Sequence, residues 1–110
     1  MRNKALLIQT IQNDCQIRHL YWKDGQTCAI GALALQAGVS EGFLKAAGKQ
    51  AIWWAQTMEV NEMRHAIMHH FDLVEHTLNQ IQAINDKYET PEKRRAAILE
   101  YIETISPSPK

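Results

Sequence analysis

The sequence predicts an all-α protein, a compact single-domain bundle of about five helices. Three observations predict it. Apolar residues recur at spacings of three and four along nearly the whole chain. No run alternates apolar and polar residues as a half-buried strand does. Punctuation divides the chain at Asp24-Gly25, Gly38-Val39-Ser40, Asn85-Asp86 and Thr90-Pro91.

The first segment, residues 3–20, lines up Leu7, Ile8, Ile11, Cys15 and Leu20, and Asp24-Gly25 is the turn that stops it. The second starts near Thr27 as N-cap, carries Cys28, Ile30, Ala32, Leu33 and Leu35, and ends at Gly38. Its small residues Ala29, Gly31, Ala32 and Ala34 let other helices cross close over it, so it is expected at the centre. Ser40 caps the third segment, with Glu41 in its first turn and Phe43, Leu44, Ala47, Ala51 and Trp54 on one side. Gly42 and Gly48 weaken it and mark either close packing or a break.

Val60, Met63, Ile67, Phe71, Val74, Leu78 and Ile81 read as one uninterrupted fourth helix that Asn85-Asp86 ends. The fifth opens with Thr90 as N-cap, Pro91 at the first helical position and Glu92 at the positive end of the dipole. Its buried face is Ile98, Tyr101, Ile102 and Ile105. Residues 1–105 therefore form the helical domain, and 106–110 a disordered Ser/Pro tail.

Lys and Arg number 12 and Asp and Glu 12, a formal net charge of zero. That gives no bulk electrostatic reason to expect nucleic acid or anionic membrane as a partner. No apolar run approaches a membrane span, and no secretory leader follows Met1, so a cytoplasmic location is expected. Cys15 and Cys28 then read as reduced thiols rather than a disulfide framework, and no cysteine-rich zinc pattern exists.

Cys28 lies where the second helix is predicted to begin, and a helix N-terminus lowers a thiol pKa. One reading is a small cysteine-dependent hydrolase or transferase in which Cys28 attacks, His69 serves as base and Asp86 orients it. The other is a small buried residue in an Ala/Gly-rich helix. The second is preferred, because neither the caspase nor the papain signature surrounds this cysteine.

On the fourth helix His65, His69, Asp72 and His76 fall within roughly 60° of one another, opposite the apolar stripe. His65 and His69 at i, i+4 are a metal-ligand pair to which Asp72 or His76 would add. A solvated polar face explains them as well, and no metal or other cofactor is expected. Leu33 to Leu44 fits a helix-turn-helix template, which would make residues 33–50 a DNA reader. The second helix of that template, with Glu41, Gly42, Lys45, Lys49 and Gln50, carries no arginine and little net charge, so nucleic acid is disfavoured.

Trp53 and Trp54 are adjacent and cannot both face one core, so one of them is expected to meet a partner. With His65 and His69 they form the candidate binding face, for an unknown protein, a small ligand or a second copy in a homo-oligomer.

Trp22, Gly25, Cys28-Ala29-Ile30-Gly31-Ala32-Leu33, Ile84-Asn85-Asp86 and the helix opened by Thr90 together resemble a family of small helical proteins of unknown function from bacteria and their phages. That family is built around a C-A-x-G-A-L helix and a late W-N-D, and Ile84 stands here in place of its tryptophan. The resemblance covers most of the chain in order. It implies a helical fold, a bacterial or phage cytosol, and Trp22, Cys28, Gly31, Asn85 and Asp86 as a structural motif; it implies no activity. Pairing the two motifs suggests that Asn85-Asp86 caps the helix that begins at Thr27-Cys28, since a polar oxygen satisfies unpaired helix N–H groups. The function expected is a non-enzymatic binding protein. If phage-borne, it would engage or inhibit a host component.

Overall fold

The computed structural model describes residues 3–17, 22–49 and 58–105. Among these the chain forms α1 (Lys4–Asp14), a hairpin of β1 (Trp22–Lys23) and β2 (Gln26–Thr27), α2 (Ala29–Gln36), α3 (Glu41–Lys49), α4 (Met58–Phe71), α5 (Glu75–Lys87) and α6 (Pro91–Thr104). It is an all-α single-domain bundle, with six described helices instead of five.

The additional helix comes from a break in the long apolar stripe. Asp72 adopts φ 55°, the left-handed conformation that Asp tolerates better than most side chains. The Leu73 amide donates back to the Met68 carbonyl at 2.9 Å, the six-to-one bond of a Schellman ending. The chain then re-enters a helix at Glu75. The offset moves the apolar register by one residue. Leu73 is buried, while Val74, assigned to the stripe by its spacing, is 65% exposed.

Two further differences lie at the front of the chain. The first helix stops at Asp14, so Cys15 leaves the helix and bridges Thr27 in parallel. A hairpin stands where no strand was expected. Asp24 and Gly25 have φ 52° and 82°, the paired left-handed residues of a type I′ turn, for which Asp-Gly is a preferred sequence. Trp22 pairs with Thr27 and Lys23 with Gln26. Leu20 and the 106–110 tail lie outside the described residues.

Every residue of α2 from Ala29 to Ala34 is buried, and the helix touches α1, α4 and α5. Leu7 and Ile11 of α1, Ile67 and Phe71 of α4, Leu78 and Ile81 of α5, and Ile98 and Ile102 of α6 close the core around it. Each such side chain contributes about 1.5–3 kcal/mol by leaving water. The small residues of α2 are what allow this. Gly42, by contrast, faces open space, so it marks neither a close approach nor a break in α3.

The helix ends are tied to one another. The Asn3 side-chain amide donates to the His70 carbonyl at 2.8 Å, joining the start of α1 to the end of α4. Thr90 caps α6 through Lys93 N at 3.3 Å, with Pro91 following. No described helix is long and apolar enough to cross a membrane.

Candidate functional site

The residues of the two motifs meet where α1, the hairpin, α2 and α5 converge. The Asp24-Gly25 turn sends the chain back so that the Thr27 carbonyl accepts from Gln16 N at 2.8 Å and Ile17 N at 3.2 Å. The Thr27 hydroxyl donates to the Asp14 carbonyl at 3.3 Å. This places Cys28, and not Thr27, at the N-cap of α2. Its backbone is extended and its Sγ accepts from Gly31 N at 3.3 Å. A sulfur is a weak acceptor, and a buried helix start needs more.

Asn85 supplies it. From α5 its Oδ1 accepts from Ala29 N at 3.0 Å and from the Cys15 thiol at 3.1 Å. Its Nδ2 donates to the Ile17 carbonyl at 3.4 Å and to Asp86 Oδ1 at 3.1 Å. Asn85 is fully buried and uses both ends of its amide. The oxygen that caps α2 therefore comes from Asn85 itself; Asp86, half-buried, orients the amide that carries it.

Two arginines complete the junction. Arg94 is 2% exposed, and its Nε donates to the Asn85 carbonyl at 2.9 Å. Its Nη2 donates to the carbonyls of Tyr88 and Glu89, both at 3.0 Å, so one guanidinium holds the turn between α5 and α6. Its Nη1 is buried without a hydrogen-bond partner. Arg95 Nε reaches the Cys15 carbonyl at 3.2 Å. Neither arginine stood out in the sequence. The available signal was their place in the first turns of α6, where the helix dipole disfavours a cation unless another contact compensates.

The electrostatics of the thiols follow from this enclosure. Burial pushes Cys15 up to about 12, although Arg94 and Arg95 pull the other way. Burial pushes Cys28 higher still, against the favourable Gly31 amide. The helix N-terminus thus fails to activate Cys28, because the cost of desolvating a thiolate exceeds what one or two amides return. In the catalytic alternative, Cys28 is fully buried and Asp86 lies close enough to raise its pKa further. His69 stands exposed on α4 and is not among the groups acting on that thiol.

The histidine face does not assemble as the spacing implied. His65 and His69 are exposed on α4, Asp72 sits in the left-handed link, and His76 is exposed on α5. The four no longer share one helix, so the angular argument that grouped them fails. Among the described residues no three His, Cys, Asp or Glu side chains come together as a metal site.

Residues 33–44 do form a helix, a turn at Gly38 (φ 96°) and a second helix capped by Ser40 Oγ, which accepts from Phe43 N at 3.1 Å. The first of these helices is the buried centre of the bundle. Among the described side chains of the second, exposed Glu41 and Lys45 offset each other in charge, and Gly42 is exposed beside them. Lys49 Cα closes α3, and Gln50, Trp53 and Trp54 lie outside the described residues. The backbone of Trp22 lies in β1. Beside α3, Val39 and Phe43 face Glu62 and Met63 of α4 across an open groove of about 280 Å³.

No family model, curated protein or solved structure matches this chain.

Proposed function

We propose that this chain is a non-enzymatic binding protein that presents the α3–α4 side of the bundle to a partner. The supporting observation is the state of the motif residues. The Cys15 thiol donates to buried Asn85 Oδ1, Cys28 Sγ accepts from Gly31 N, and burial holds both thiols protonated. A protonated, enclosed thiol is a packing and capping group, not a nucleophile. That leaves recognition as the work of the surface, where the open groove and the exposed His65 and His69 stand on the same helix, α4. On the resemblance to the bacterial and phage family, the partner would be a component of a bacterial cytosol, engaged or inhibited by this protein.

The test is alkylation of the native protein by iodoacetamide at neutral pH, with the modified site assigned by mass spectrometry. The expected result is that Cys28 is labelled only after denaturation. Native labelling faster than that of a free thiol would overturn the reading in favour of the cysteine hydrolase or transferase. Capture of a bacterial partner that is lost with Phe43→Glu and kept with Glu100→Lys, on α6, would assign binding to the groove side.

A further inference from the structure

We propose that Cys15 and Cys28 together bind a soft monovalent metal ion, Cu(I), as a two-coordinate bis-thiolate at the buried start of α2; this goes beyond the binding reading above and does not depend on the groove. The first argument is placement. Cys15 pairs with Thr27, the residue before Cys28. The Cys15 thiol and Ala29 N share Asn85 Oδ1 as their acceptor, and Cys28 Sγ accepts from Gly31 N at 3.3 Å. Both sulfurs thus sit at the first turn of one helix, near enough that a charge on Cys15 acts on Cys28. Thiolate sulfur is a donor that selects Cu(I). Among the described residues no group of three metal-binding side chains forms, so the four ligands of a structural zinc are not assembled there.

The second argument is charge, and it selects the valence of the ion. Arg94 and Arg95 act on Cys15 as cations, and Asp86 as the opposing carboxylate. Asp86 Oδ1 already accepts from Asn85 Nδ2 at 3.1 Å. The adjoining residues Arg18, His19, Leu20 and Tyr21 bring no acid. Arg94 is 2% exposed; three backbone carbonyls accept from it, and its Nη1 is buried without an acceptor. A buried guanidinium in that state favours an anion nearby. The amides of Ile30 and Gly31 also favour negative charge on Cys28. A disulfide between the two cysteines is neutral, and so is a divalent ion between two thiolates. A monovalent ion between them leaves one negative charge. Of the three products, only that one draws on the arginines. In forming it each thiol releases its proton to solvent, two sulfur–metal bonds form, and no electron is transferred. Slow alkylation does not bar this role, because a bare ion is smaller than the reagent.

The test is anaerobic titration of the reduced full chain with Cu(I), against bathocuproine disulfonate as competitor. The expected result is one Cu(I) retained per chain, with X-ray absorption showing two sulfur ligands. Retention should be lost in Cys15→Ser and in Cys28→Ser. Serine keeps the native donor at 15 and the native acceptor at 28, so both variants keep the fold. Retention should weaken about tenfold in Arg95→Gln, the scale of one charge lost nearby, and stay unchanged in Glu100→Gln, an exposed position of α6. Loss of all Cu(I) to the competitor, or full retention in either serine variant, would overturn the site. Full retention in Arg95→Gln, or Zn(II) held as tightly, would overturn the choice of ion. Any of these failures leaves the binding reading intact, because that reading is decided by alkylation of the metal-free chain and by the groove variant.

Discussion

Helix α2 and helix α5 begin in opposite ways. The first turn of α2 is buried, and its orphan N–H groups are met by Cys28 Sγ and by Asn85 Oδ1 from another helix. Helix α5 starts at the surface, with Val74, Glu75 and His76 exposed and burial beginning at Thr77. Its N-cap is Val74, 65% exposed and with no side-chain cap bond. Water can serve the second start, whereas the first must import its acceptors from the protein. A helix start inside a bundle is thus a tertiary structure, and one at the surface is a local event that the sequence need not announce.

Substitutions can break this contrast, and the largest effect is expected at Asn85. Asn85→Ala leaves Ala29 N–H and the Cys15 thiol buried without an acceptor. It should cost about 3 kcal/mol in urea unfolding. Asp86→Ala removes one acceptor from a half-buried position and should cost about 1 kcal/mol or less. Equal losses would mean that the capping oxygen is not the determinant.

Cys28→Ala, which deletes the local cap, should cost about 2 kcal/mol by the same measurement. The junction also carries a pH signature. The Cys15 thiol keeps its proton up to about 12 in the folded chain, against 9.0 ordinarily. Between these values the unfolded state has lost a proton that the native state retains, so stability falls as pH rises through this window. Cys15→Ala should show a shallower alkaline loss than the parent, read from urea midpoints at pH 8 and pH 10.

The link before α5 is sharpened by Asp72→Val. A β-branched residue at φ 55° should destabilise by about 1–2 kcal/mol. A smaller change of opposite sign is expected at Val74. Val74→Ser provides the missing cap and should raise stability by about 1 kcal/mol. No gain would indicate that water already meets these amides fully.

The same contrast explains what the sequence could and could not disclose. Helical periodicity gave the fold class, and the apolar spacing identified most of the core, including Leu7, Ile11, Ile67 and Ile98. The break at Asp72 was illegible because Phe71 and Leu78 keep helical spacing across it. Periodicity averages over a one-residue offset, and Val74 offers no capping residue to mark the restart. The hairpin was hidden because two-residue strands are too short to alternate. At the junction, motif pairing pointed to the 85–86 segment and not to which of its two residues faces Ala29. That depends on the rotation of α5, which the core sets. Arg94 was missed because its partners are backbone carbonyls, which no side-chain pattern reveals.

The reach of Asn85 has a consequence for how the protein is made. Its acceptor oxygen serves Ala29, 56 positions earlier, and Cys15, 70 positions earlier. A chain emerges from the ribosome at about 5–20 residues per second. The central helix is therefore synthesised seconds before the group that completes it. During that interval the apolar run Ala29–Leu35 has neither its cap nor its cover of α5. A stalled or truncated nascent chain would leave Ala29–Ala34, all buried in the native fold, exposed to water. Slow codons between α2 and α5 would lengthen that exposure, and chaperone demand should follow the delay.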